Sequence, residues 1–273
     1  MTKLFHLINS ECNFANDILN SGVELIRKAN FQDKGLYYQA FTCLSVGLER
    51  LMKLIIILDN YLQHNQLYTK NELKNIGHDI SNLYSKCINI GNNRNIDKKY
   101  SDPDEIYKKI IDILSEFANL GEQNRYYNLN YISLANNKTF SLPKDTTCKW
   151  VEQIDYYIYN NKVSEKKKID IEQQNMFWGQ MLNEGALILF EAEDNSKINN
   201  GLLYMAHKSR QIACQGFRVL FVAQIIRYLS RVLSHISDKL KSIHPQDIPY
   251  LNEYFIIYRN DDNILKKRKC FTL

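Results

Sequence analysis

The sequence predicts an all-α protein: an up-and-down helical bundle over residues 1–160, a second helical block over 161–273, and a short closing β-hairpin at about 250–273. Three observations carry this. The 273 residues include only 10 Gly and 4 Pro, which favours long helices with few connections over many short strands. Hydrophobic residues make up 45% of the chain, enough to build a core rather than a disordered coil. Phe41, Leu44, Leu48, Leu51, Ile55, Leu58 and Leu62 recur at gaps of three and four, an apolar stripe along one helix face.

The elements follow in order. Residues 11–29 carry apolar residues at helical spacing. Residues 35–63 form the longest clear helix; Gly47 within it costs about 1 kcal/mol against Ala. A third helix starts near Asn71 or Asp79 and runs through Leu83 to Ile90. The polar stretch 91–101 is a loop. Ser101-Asp102-Pro103-Asp104-Glu105 offers a capping side chain, a first-turn proline and carboxylates at the positive end of a helix dipole. That helix carries Ile106, Ile110, Ile113, Leu114 and Phe117 toward NRYYNLN (124–130). Residues 130–147 look irregular, and helix resumes over 150–159.

The charge run SEKKKID (164–170) opens the second block. Its first helix holds Met176, Phe177, Gln180, Met181, Leu187 and Phe190; its next spans about 202–240. His244-Pro245 and Pro249 then break the helix. YFIIY (254–258) is aromatic and β-branched, NDDN (260–263) is a turn, and ILKKRKCF (264–271) is a returning strand.

Net charge is +5 and the sequence pI near 8.7, which permits an anionic partner such as RNA without requiring one. The six Cys are far apart, none at CxxC spacing, and MTKLFHLINSEC is not a secretory opening. Reduced thiols in a cytoplasmic protein are expected. The longest apolar run, near 54–58, falls far short of the ~18 residues of a membrane span. There is no Gly-rich phosphate loop, and no serine sits in a nucleophile elbow. His207 and His235 lack partners at ligand spacing, so neither a metal nor a cofactor is expected.

Three polar clusters interrupt the apolar pattern. In GLERLMKL (47–54), Glu49 and Lys53 stand four apart and can meet, as a solvated ion pair or as part of a site. In GHDI (77–80), His78 beside Asp79 is either a proton carrier or a helix entry capped by Asp79. In NRYYN (124–128), Arg125 can clamp a phosphate while Tyr126 or Tyr127 stacks on a base; alternatively Arg125 pairs with Glu49 and the tyrosines fill the core. Lys208, Arg210, Arg218, Arg227 and Arg231 line one long helix. Arg227 and Arg231 share a face and, with Tyr228, could reach a backbone phosphate. The tail adds the basic run 266–269.

The order GLERLMKL, GHDISNL, RYYNL resembles bacterial HEPN-like proteins over roughly residues 10–160. The closing stretch EYFIIYRNDDNILKKRKCF resembles the end of some uncharacterised bacterial proteins of this kind. The resemblance implies an all-α bundle, pairing into a homodimer through the bundles, and an RNA-directed role in toxin–antitoxin or antiphage systems, with a partner protein from the same operon as one arrangement. The catalytic pattern of such proteins is an Arg followed, after four to six intervening residues, by a His for metal-independent attack of a ribose 2′-hydroxyl. From Arg125 that histidine would fall at 130, 131 or 132, where this chain has Asn130, Tyr131 and Ile132. Asn130 can position a phosphate but cannot serve as general acid or base. Cleavage, if any, would use a non-standard constellation: Arg125 on phosphate, His78 as proton carrier, and Glu49, Lys53 and Asp79 as orienters, with Tyr126, Tyr127, Asn130, Arg227 and Arg231 contacting RNA. The other reading is a non-catalytic module, for protein interaction or nucleotide sensing, in which the same residues lock the bundle.

Overall fold

The structure, a computed structural model, describes residues 1–119, 125–132 and 143–271. The protein is all-α. Helix α1 (Lys3–Lys28) is capped by Thr2, whose hydroxyl accepts from the Phe5 amide, and α2 (Gly35–His64) ends on Asn65 in the left-handed conformation. The two pack closely. A Cβ on Gly47 would lie 2.6 Å from Leu19 Cγ, so the glycine is a contact requirement, and the cost assigned to it from sequence is offset by packing.

The third predicted helix is two. Helix α3 (Lys70–Asn75) starts on a Thr69–Glu72 capping box, and α4 (Ile80–Asn93) starts on Asp79. Gly77, at φ +80°, turns the chain between them, a conformation glycine adopts without penalty. Helix α5 (Asp104–Ala118) begins at Pro103 with no side-chain cap. Ser101 and Asp102 are engaged elsewhere: Asp102 accepts from Tyr157 Oη at 2.9 Å and pairs with Lys162, while Ser101 meets Gln224. Asp104 and Glu105 do sit in the first turn.

Helix α6 (Tyr127–Ile132) is short; Asn124, and most of the stretch read as irregular, lie outside the described residues. The predicted 150–159 helix is longer and irregular inside. Helix α7 (Thr146–Trp150) widens into a π turn at Val151–Asp155 and continues as α8 (Tyr156–Lys162). Helix α9 (Glu165–Gly185) stops before Leu187 and Phe190, and Phe190 belongs to a two-residue strand, β1 (Phe190–Glu191), paired antiparallel with β2 (Lys197–Ile198). Helix α10 (Gly201–Ile243) runs 43 residues, about 65 Å. By length and composition it could cross a membrane, yet 72% of its most apolar stretch is buried within the fold.

The expected C-terminal hairpin is not formed. Residues 250–271 wind as 3-10 turns at Leu251–Glu253 and Ile256–Arg259 and a final helix, α11 (Asp262–Lys267). The reason lies in Arg227. Its guanidinium takes the carbonyls of Tyr258 and Asn260, both at 2.7 Å, and Asp262 Oδ1 at 2.9 Å. Two carbonyls that a strand would offer to a neighbour are thereby turned toward α10. Phe255, Tyr258, Leu265 and Phe271 bury against the bundle instead.

One core runs from Ile8 to Phe271, so α10 packs among the helices of the first 160 residues. At its centre Arg218 is fully buried and ion-paired with Asp155. Its Nε donates to Asp155 Oδ1 at 2.8 Å, its Nη1 to Ala29 O at 2.6 Å, and its Nη2 to Tyr37 Oη at 2.9 Å. Burial weighs against the guanidinium, but the Asp155 carboxylate more than offsets this and keeps it charged. Tyr37 in turn donates to Glu193 at 3.2 Å on the β1–β2 connection. At the other end of the bundle, a Cβ on Gly91 would lie 2.1 Å from Tyr228 Oη, a hydroxyl that is buried without a partner.

Removing one member of a buried pair leaves the other charge uncompensated. Asp155→Ala is therefore expected to lower stability by about 3–5 kcal/mol. Glu105→Ala, which breaks the exposed pair with Lys109, is expected to change it by about 0.5 kcal/mol or less. Urea unfolding at 25 °C followed by circular dichroism measures both.

Candidate functional site

The three polar clusters meet. Glu49, His78, Asp79 and Arg125 line one cleft of about 560 Å³, together with Thr42, Ser45, Phe117 and Asn119. Each arrives from a different element. Glu49 projects from the middle of α2. His78 is the residue before the Asp79 cap of α4, whose Oδ1 accepts from the Asn82 amide at 2.8 Å. Arg125 lies beyond α5, its backbone amide donating to Phe117 O at 3.2 Å.

Local bonding fixes these positions. Lys53 Nζ donates to Glu49 Oε1 at 2.8 Å, one helical turn on. His78 Nδ1 is 2.8 Å from the same oxygen and 3.1 Å from Lys53 Nζ. One ring nitrogen can serve only one of these contacts. The shorter is to the carboxylate, which assigns Nδ1 as the donor to Glu49. His78 is 80% exposed while Glu49 is 23% exposed, so the imidazole stands at the mouth and its carboxylate behind it. Burial pushes the Glu49 carboxyl up, but hydrogen bonds from Lys53 and His78 outweigh it and hold it below the usual carboxylate range. Ser115, on α5, joins the helices: its hydroxyl donates to Asp79 Oδ1 at 3.4 Å and accepts from the Ser81 amide at 3.4 Å.

Chemically, this is an imidazole oriented by a carboxylate, with a lysine on that carboxylate and an arginine lining the same cleft. An imidazole so held can take and return a proton, and an arginine can bind an anion. Among the described residues no set of three His, Cys, Asp or Glu side chains converges as metal ligands.

The remaining predicted contacts divide. Tyr126 is exposed, with the Arg125 guanidinium 5.7 Å from its ring centre. Asn130 is exposed on α6. Tyr127 is buried, its hydroxyl donating to Pro143 O, and it packs edge-on against Tyr131 at 5.0 Å. It supports the segment from beneath and offers no face to a base. Arg227 clamps the C-terminal turns as described, and Tyr228 is fully buried, so neither presents itself to a phosphate from that helix. Arg231 bonds Asp97 O at 2.9 Å through Nη1 alone. Arg218, read as one of a basic row, is the centre of the core. Sequence reasoning missed Ser45, Ser115 and Asn119. Single small polar residues on an apolar face leave no pattern to find. Compared with protein-family models, curated proteins and solved structures, the chain matches none.

The lowered ionisation of Glu49 has a pH signature. A carboxyl held below its unfolded value contributes stability that is present above that unfolded value and is lost as pH falls through the folded one. The stability difference between the parent and Glu49→Gln is expected to be about 0.5 kcal/mol at pH 7 and to shrink as pH falls below about 4.5. Thermal unfolding across that pH range measures it.

Proposed function

We propose that this cleft acts on RNA, as a metal-independent endoribonuclease site of a HEPN-like protein working in bacterial toxin or antiphage defence. The observation that carries the proposal is His78 Nδ1 at 2.8 Å from Glu49 Oε1 in a cleft that Arg125 also lines. The order of the GLERLMKL, GHDISNL and RYYNL segments supports it, and the missing histidine at 130–132 is met by His78 from another element. In the reaction His78 Nε2 takes the proton of a ribose 2′-hydroxyl, the 2′-oxygen bonds to phosphorus, and the bond to the 5′-oxygen breaks. The same nitrogen returns the proton to the leaving 5′-oxygen. Glu49 stabilises the transient imidazolium, Lys53 holds Glu49, Asp79 fixes the start of α4, and Arg125 binds the phosphate. Tyr126 and Asn130, both exposed, are the groups assigned to a base or sugar.

A second reading, a non-catalytic interaction module, is favoured by a separate feature. Phe177, Trp178 and Met181 on α9, Leu187 and Leu189 beyond it, and Leu202 and Leu203 on α10 are all exposed, and Gly179 sits directly against Leu202. An exposed apolar cluster of this kind, when contiguous, marks an interaction surface. The occupant is a second copy of this chain, since an isologous pairing needs only this one patch.

His78→Ala and Arg125→Ala are each expected to reduce cleavage of a fluorogenic RNA in EDTA by about 100-fold or more, with melting temperatures within a few degrees of the parent. No cleavage by the parent, or undiminished cleavage by both variants, refutes the nuclease reading. Light scattering on a sizing column is expected to give twice the 32.2 kDa chain mass for the parent and the single mass for Trp178→Glu/Leu189→Glu. A monomeric parent removes the interaction reading.

A further inference from the structure

A second pocket, of about 590 Å³, lies where α10, the 94–100 connection and the C-terminal turns meet. It is lined by Lys99, Arg227, Arg231, His235, Arg259 and Asp238, among others. Asp79, at the start of α4, lines the first cleft, while Ile96 and Lys99, beyond its end, line this pocket, and α4 itself is about 20 Å long.

Its charge is unbalanced. Arg227 is answered by Asp262 at 2.9 Å. The other three cations are not paired with any carboxylate among the described residues. Arg231 is tethered through Nη1 to the backbone oxygen of Asp97 at 2.9 Å. Arg259 Nη2 donates to Ser234 Oγ at 2.9 Å and Asn252 Oδ1 at 3.3 Å. Lys99 is exposed at the rim. Asp238, the single acid of the lining, accepts from Asn252 at 3.0 Å. Neutral acceptors thus hold two guanidinium forks in place while leaving their charge unanswered, and each fork keeps donors for a ligand. Burial depresses the ionisation of His235, with Lys239 and Arg94 adding to the effect and Asp238 opposing it.

We propose that this pocket binds a phosphate group. Planar arginine forks match phosphate oxygens two at a time, and holding like charges together without a counter-ion is a cost that an anion removes. The volume accommodates a small phosphorylated molecule. Apart from His235 no aromatic ring lines the pocket, so recognition falls on the phosphates and not on a stacked base. The site is separate from the cleft and does not depend on its chemistry.

Titration calorimetry with pyrophosphate, and separately with a short uridine oligonucleotide, tests this. At least one probe is expected to bind the parent, with affinity falling tenfold or more in Arg231→Gln/Arg259→Gln and several-fold in Lys99→Gln. A larger loss of pyrophosphate binding in the double variant identifies a free phosphate compound as the source, and a larger loss of oligonucleotide binding identifies an RNA backbone. Lys166→Gln, an exposed lysine of α9 that lines neither cleft, is expected to leave pyrophosphate binding unchanged. Absence of binding by both probes, or affinity unaltered in the double variant and in Lys99→Gln, overturns the proposal.

Discussion

The arrangement of the whole chain depends on where one buried cation finds its acceptors. Arg218 sits midway along α10 with no access to water, and such a charge is tolerable only when its donors are matched. The matches come from Asp155, Ala29 and Tyr37, that is, from the π turn, the end of α1 and the start of α2. Four elements distant in sequence must therefore converge at one depth and one rotation. The widened turn at Val151–Asp155 carries Asp155 into this cluster. Tyr37 then passes the constraint to Glu193 and the small β1–β2 connection.

With α2 so fixed at its start, Glu49 is carried to the cleft by helical geometry alone. His78 reaches it by a different device. Gly77 takes a left-handed turn and Asp79 closes the first turn of α4, so the histidine sits on the short extended stretch between two helices. Ser115 ties that cap to α5. Glu49 is thus held on the body of one helix and His78 just before the start of another, while the histidine itself stands in solvent.

The sequence disclosed the parts of this that follow short-range rules. The apolar stripe of α2, the four-residue spacing of Glu49 and Lys53, and the Asp79 cap are all local, and each is found where the pattern puts it. What stayed hidden is long-range. Arg218 resembles its solvated neighbours Lys208 and Arg210 in sequence, because its partners lie 63 and 181 residues away. The tail misled for a related reason. YFIIY has the composition of a strand, but Phe255 and Tyr258 stand three apart and are both buried, and that spacing serves a tight helical turn as well. Arg227 decides between the two, and nothing near the tail announces it. The cap of α5 was misplaced because Ser101 and Asp102, good caps by type, are drawn to Gln224 and Lys162.

Tyr228 and Gly91 set the separation of α4 and α10. The phenol oxygen occupies the space where any other residue at position 91 would put its first side-chain carbon. The gap between those two rods is therefore defined by an atom that is not there. A methyl group added at that point would act as a wedge, levering the end of α4 and the loop carrying Lys99 away from the arginines of α10, some 20 Å from the histidine.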